Sequence, residues 1–376
     1  MSFKTIIPTL MLILSLAIPT MAQDECEVVL ARATEEFNAG HLYGISAMLK
    51  DCLDKNQNRE WKQRAYLLLA ETYLLLEDPI GAEQSYLNVL WANPEYLTDQ
   101  SRDPIDLVYL SGKFTATPIF LLHAYVGPNI SPVRVIHDVR IGGELYTKES
   151  YSIKALGWDF GAGVDFNYND YLSASAGLRF SLTKFNHLTT DLFGVRKDVV
   201  EFSGRQTWAQ IPISIKYCQS QGKFRRYGYL GFSFNYLLTD KADIDMKNRD
   251  SNNDEPGGDD FLSFDKTISN LSMINSRERL NGSLFVGGGI KYKYKLDYFY
   301  IDLRYSLGIK NLVDTEKRFS SVSAGLPYPY VDDDFRLDNL AISIGYIHPL
   351  YKPRKLKKAR TKSVLRKIEK EDNATN

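Results

Sequence analysis

The chain is poor in the residues that do chemistry: its 376 residues hold three cysteines, five histidines and no formal net charge. Five histidines scattered over such a length are a meagre supply for acid–base work, which needs a proton to move between aligned groups. His187 and Asp191 share one loop and His137 and Asp138 another, with no nucleophile, base and orienting group gathered around either. After the first twenty or so residues there is no run of about 18 consecutive apolar residues, so no helix can cross a membrane. Asp250, Asn252 and Asp254 sit on alternate positions of a calcium-type loop. Glu255 stands where that loop's sharp turn needs glycine, however, and no glutamate closes it, so the stretch reads as a solvated loop. Gly287-Gly288-Gly289 lies inside a strand pattern with no helix behind it, which removes a phosphate cradle.

What is present begins with MSFKTIIPTLMLILSLAIPTMAQDE. Lys4, an apolar core from Ile6 to Ile18 and the small-residue site at Thr20-Met21-Ala22 have the form of a secretory signal peptide, residues 1–22. Its apolar run is short for a membrane anchor, and no cysteine follows the cut to take a lipid. Export implies a compartment where disulfides persist. Cys26 and Cys52 fall on two successive short helices and read as a pair, leaving Cys218 alone at the end of a strand.

Residues 23–113 show helical spacing. Counting a repeat of about 34 residues back from Pro94 puts Tyr66, Leu69, Ala70, Tyr73, Ala82, Tyr86, Val89 and Pro94 on tetratricopeptide signature positions. Small residues then fall where two helices cross closely. The stretch 63–96 resembles one tetratricopeptide repeat, with Glu25–Gly40 and Leu42–Asp54 as a degenerate pair before it and Pro104–Lys113 as a capping helix. Modules of this kind usually present a surface to a protein partner.

From Ile119 the pattern changes to period two. Eight segments follow, at about 119–129, 154–168, 170–182, 206–218, 226–239, 282–294, 297–310 and 338–348, each long enough to cross a bilayer at a tilt. Short turns at 169–170, 219–224 and 295–297 alternate with long loops at 130–153, 183–205, 240–281 and 311–337. That alternation is the layout of an outer-membrane barrel, and an even strand number sends both chain ends to the short-turn, periplasmic side. In Phe299–Ile309 every second residue is apolar, while Tyr300, Asp302, Arg304, Ser306 and Gly308 share the other face. The same parity collects Asp159, Asp165, Arg179, Lys216 and Lys291, so acids and bases together should form a salt-bridged interior. Phe166, Tyr168, Tyr171, Tyr217, Tyr227, Tyr292, Tyr294, Phe299 and Tyr346 gather near the short turns as an aromatic girdle. A soluble lipocalin-like barrel is the alternative; it would turn the charges to water and pack the aromatics inside.

Phe120–Ser131 (FLLHAYVGPNIS), Trp208–Tyr217 (WAQIPISIKY) and Asp338–Tyr346 (DNLAISIGY) resemble the outer-membrane β-barrel family that includes PorT-like proteins, over about residues 118–350. The resemblance implies a bacterial outer-membrane protein connected with gliding or type IX secretion machinery.

The expected fold is therefore α+β and multidomain: a small all-α tetratricopeptide-like module followed, over 114–351, by an eight-stranded antiparallel transmembrane β-barrel. Residues 352–376 form a basic periplasmic tail in which Lys355, Lys357, Lys358 and Arg360 are the candidate partner-binding positions. The expected role is an outer-membrane anchor or assembly component with a periplasmic or outer-membrane protein partner. A surface receptor or adhesin accessory acting through the loops is the alternative, and a barrel enzyme a weaker one. The expected surroundings are the lipid bilayer of the outer membrane; no cofactor and no nucleic acid are expected.

Overall fold

A computed structural model of the chain describes residues 21–139, 147–153, 156–169, 171–193, 196–219, 222–250, 264–318 and 332–356. Most of the proposed signal peptide, the 251–255 part of the calcium-like loop with Asn252 and Asp254, and Lys357, Lys358 and Arg360 lie outside the described residues. The chain divides into two compact units, residues 1–118 with 351–376, and residues 119–350.

The first unit is helical: α1 (Met21–Asn38), α2 (Ile45–Lys55), α3 (Arg59–Leu75), α4 (Pro79–Ala92) and α5 (Ile105–Ser111). Local chemistry sets the ends. The Asn58 side chain accepts hydrogen bonds from the Glu60 and Trp61 amides at the start of α3, and Asp78 does the same for Ile80 and Gly81 ahead of α4, which opens on Pro79. Ala70 and Ala82 are fully buried, small enough to let α3 and α4 cross closely. Cys26 and Cys52 are disulfide-bonded across α1 and α2, with Cα atoms 5.6 Å apart. Beside them the Trp61 indole donates to the Cys26 carbonyl at 3.0 Å, drawing α3 onto the same core. Closing a loop of 26 residues stabilises by about 3 kcal/mol in the chain-entropy description. Replacing both cysteines by alanine should lower the unfolding free energy of this unit by that order, read by circular dichroism at the helical band. An unchanged midpoint would remove the disulfide from the account.

The second unit is built on eight strands: β1 (Phe120–Ile130), β2 (Gly157–Asn167), β3 (Leu172–Phe193), β4 (Arg196–Cys218), β5 (Phe224–Asp250), β6 (Leu280–Tyr294), β7 (Asp297–Gly308) and β8 (Asn339–Leu350). Each pairs antiparallel with the next in sequence. β8 pairs antiparallel with β1, from Leu340 opposite Ile130 to Leu350 opposite Phe120. The succession of pairings thus returns to its start.

Two expectations are corrected here. The stretches 183–205 and 240–281 are not simply loops. β3 and β4 stay paired from Leu172 opposite Tyr217 as far as Phe193 opposite Arg196, and β4 and β5 continue to Arg196 opposite Asp250. A further strand, Phe264–Ser272, adds to β5, Thr147–Ser152 adds to β3, and Val133–His137 pairs with Asp334–Leu337. The physical reason is a second apolar core beyond the ring. Phe185, Phe202, Leu237, Ala242, Ile244, Leu312, Val313 and Phe335 are buried together there, which gives extended chain a face to pack. We call this region the cap. The second correction concerns the tail: Arg354–Lys355 pairs with Phe114–Thr115, and Tyr351 Oη donates to Glu95 at 2.8 Å, so the tail begins as part of the helical unit.

Candidate functional site

Alternation carries the charged residues of the strands to one face. Asp159, Asp165, Arg179, Lys291, Asp302 and Arg304 are all less than 10% exposed. On the opposite parity Phe160, Leu178, Ile213, Ile215, Leu230, Ile301, Leu303 and Ile344 are exposed, the last at 62%. Apolar side chains outward and charges inward invert the arrangement of a soluble sheet.

The buried charges are partly sorted into pairs. Arg179 is hydrogen-bonded to Asp159 and to Asn339 Oδ1. Lys216 Nζ lies 2.8 Å from Asp165 Oδ1, and His123 Nδ1 lies 3.2 Å from the same oxygen. Asp302 accepts from two phenols, Tyr227 at 2.7 Å and Tyr229 at 2.5 Å. Lys291 Nζ sits 4.9 Å from the centre of the Tyr227 ring. Arg304 stacks on Phe285, 3.6 Å from the ring centre. Asp302 and Arg304, two residues apart in the sequence, do not form an ion pair with each other among the described residues.

The tyrosines are the part that sequence reasoning missed. Tyr227 does not belong to the outward girdle: it is 8% exposed and points its hydroxyl at Asp302. Sorting aromatics by height alone ignored parity; Arg226 is the neighbour that faces outward, and Tyr227 shares the inward row with Tyr229 and Ser233. The remaining girdle residues, among them Tyr168, Tyr217, Tyr294 and Phe299, are exposed. Glycines make room for the inward rings. A Cβ at Gly287 would meet the Tyr229 hydroxyl at 2.4 Å, one at Gly161 that of Tyr125 at 2.7 Å, and one at Gly345 the Tyr300 ring at 2.4 Å. Each ring therefore occupies the space of an absent side chain on an adjacent strand.

The cap has its own buried charges, none singled out from the sequence. Arg277, with a fully buried side chain, lies 2.6 Å from Asp240 and 2.8 Å from Asp332, and its guanidinium stands over Phe335. Gln206 donates to Asp240 and accepts from the Trp208 indole, extending the network to β4. Burial alone would lower the Arg277 pKa, but Asp332 and Asp240 outweigh it and hold the guanidinium above its ordinary value. Asp250 lies at the end of β5, and among the described residues no group of acidic, histidine or cysteine side chains has metal-ligand geometry.

In the helical unit, Lys355 is bonded to Glu83 rather than left open for a partner, and Glu83 also lies 3.8 Å from Lys113. Glu71 is half-buried, and burial together with Asp103 pushes its carboxyl up. A raised carboxyl favours the folded state below its unfolded pKa, and that contribution is lost as pH rises through the folded pKa. Glu71→Gln should therefore raise the melting temperature of the helical unit at pH 7 slightly and leave it nearly unchanged at pH 4. A fall at pH 7 would contradict this.

No family model matches the sequence, and no curated protein matches it. Solved structures similar to the chain include Neisserial surface protein A, 14% identical over 61% of this chain and 97% of its own, with a TM-score of 0.27. Ail, the attachment invasion locus protein of Yersinia pestis, is 12% identical over 61% of this chain and 98% of its own, with a TM-score of 0.27. The outer membrane protein AlkL, determined in lipid bilayers, is 14% identical over 65% of this chain and 94% of its own, at the same TM-score of 0.27.

Proposed function

We propose that residues 119–350 form an eight-stranded β-barrel crossing a bacterial outer membrane, and that the helical module binds a protein partner in the periplasm, making the chain an outer-membrane anchor or assembly component. The observation that carries this reading is the inversion of the sheet's two faces. Apolar residues stand exposed on every strand of the ring, while Asp159, Arg179 and Asp165 are at most 2% exposed. In water such a band would be an aggregation surface far larger than soluble monomers carry. Against lipid it is the face that a bilayer requires. A ring without a free edge also leaves no strand with unpaired backbone groups, which the hydrocarbon core does not tolerate.

With an even number of strands the chain enters β1 and leaves β8 at one end of the ring, the end of the short turns. In outer-membrane barrels that end is periplasmic, which motivates placing the partner there. The likeness to PorT-like proteins makes a component of type IX secretion or gliding machinery the candidate partner. Lys357, Lys358 and Arg360 are the cations of the sequence that would attract an acidic partner face or anionic headgroups. Because Lys355 is engaged by Glu83, truncation belongs after Leu356. Partner recovery that falls with that truncation, and falls with salt in the full chain, supports the tail's role; unchanged recovery removes it.

A second reading, a surface receptor or adhesin accessory, is favoured by the packed core of the cap. Deleting residues 23–113 while keeping the ring separates the two: a periplasmic scaffold loses function and a surface receptor keeps it. The membrane placement has its own test. The protein should fractionate with outer membranes and migrate differently on a detergent gel before and after boiling. Ile301→Arg on the outward face should cost about 2–4 kcal/mol near the bilayer midplane, read as loss of the unboiled folded band. Recovery as a soluble periplasmic protein would sink this reading.

A further inference from the structure

Inside the ring lies a cavity of about 60 Å³, lined by Tyr125, Ser214, Tyr300, Arg304 and Ser343 together with the already bonded Arg179, Lys216 and Asp302. One water needs about 10–15 Å³ measured in this way, so the space takes a few atoms. Arg304 is its unusual wall. It is 8% exposed, and its Nε and Nη2 are shut off from solvent with no hydrogen-bond partner. Its described contact is the face of Phe285. A buried charge left uncompensated in this way is strongly destabilising.

The surroundings are rich in donors. Asp302 is the cavity's one carboxylate among the described residues, and Tyr227 and Tyr229 already donate to both of its oxygens. Arg179 and Lys216 are held by Asp159 and Asp165. The inward rows thus carry Arg179, Lys216, Lys291 and Arg304 against Asp159, Asp165 and Asp302, with Arg225 and Lys293 half-buried on the same rows near the short turns, so cations outnumber anions there. The hydroxyls of Tyr125, Tyr300, Ser214 and Ser343 line the same space and can all turn a hydrogen toward it.

We propose that this cavity binds one small monovalent anion, of halide or nitrate size, with Arg304 as its counter-charge and the lining hydroxyls as further donors. Water alone would solvate the guanidinium but leave the excess charge inside the ring. An anion pairs with the guanidinium and lowers that excess. Larger anions are disfavoured by the size of the cavity. The site depends on the charges inside the ring and not on what surrounds it, so it stands or falls separately from the membrane reading.

The test uses the full chain in a nonionic detergent, with chloride exchanged for gluconate, which is too large for the cavity, at constant ionic strength. Binding to the folded state alone raises the folded-to-unfolded ratio about a hundredfold at a chloride concentration 100 times Kd. The unboiled gel band should therefore survive more denaturant in chloride than in gluconate, and Arg304→Met should abolish the difference. Crystals grown in bromide should show anomalous density beside the Arg304 guanidinium. If Arg304→Met does not fold, Tyr300→Phe combined with Ser343→Ala keeps the charge and should weaken the chloride effect severalfold. Equal resistance in the two salts, a chloride effect that survives Arg304→Met, or bromide found only on the surface would each overturn the proposal.

Discussion

Asp159→Ala should cost about 3–5 kcal/mol, because it leaves a guanidinium buried without its anion. Arg179 is 2% exposed, and its other described partner is the neutral Asn339 amide oxygen at 2.8 Å. The same argument predicts a strong non-additivity. Replacing both partners, Asp159→Leu with Arg179→Met, removes the desolvation cost along with the attraction, and should return most of the stability. Urea titrations of the unboiled gel band, run on the two single variants and the double, measure this directly. A single Asp159→Ala variant within 1 kcal/mol of the parent would mean that the pair is solvated rather than buried.

The second large effect lies in the cap. Arg277→Ala removes the cation that Asp240 and Asp332 share, at 2.6 and 2.8 Å, and should also cost about 3–5 kcal/mol. The loss should be local. Asp240 belongs to β5 and Asp332 to the segment leading into Asp334–Leu337, so the residue ties two distant parts of the cap together. The variant should keep the ring's resistance to boiling-dependent unfolding while the cap segments around Asp240 and Asp332, outside the ring strands, become open to limited proteolysis. Arg277→Lys should restore little, since one shorter ammonium cannot reproduce both the Nε hydrogen bond to Asp240 and the Nη1 contact with Asp332. If the digestion pattern of Arg277→Ala matches that of the parent, the network does not hold the cap.

The strands of the ring were legible because period two is a local signal. The segment expected at 297–310 is β7, Asp297–Gly308, and that expected at 119–129 is β1, Phe120–Ile130. The two faces were legible for the same reason: Phe299 and Ile301 turn outward and Tyr300 and Asp302 inward. What the sequence hid is non-local. Asp240 and Arg277 are 37 residues apart, and nothing in their spacing announces a contact. The extension of β3 and β4 past residue 183 reads as loop because its sequence mixes polar residues into the alternation. Phe185 and Phe202, which make it fold, find their partner in Phe335. Lys355 looked like a free cation in a basic run, and only the fold of the first unit reveals Glu83 beside it.

The rings that occupy glycine space, Tyr229 at Gly287, Tyr125 at Gly161 and Tyr300 at Gly345, bear on how the strands find their alignment. A strand that slips by one residue turns its greasy face inward and is rejected at once. A slip of two keeps both faces correct and passes that check. In the ring, however, a two-residue slip of β6 against β5 would bring Phe285 or Gly289 opposite Tyr229 in place of Gly287. Phe285 carries its own bulk, and a seat at Gly289 would deprive Tyr227, whose hydroxyl lies 2.8 Å from a Cβ placed there. The alternating small and large inward residues work as a notched edge that accepts one alignment. Gly287→Ala would fill a notch, with its Cβ against the Tyr229 hydroxyl at 2.4 Å and the Leu303 carbonyl at 2.7 Å, so slow or heterogeneous assembly should come together with a loss of stability in the molecules that do align.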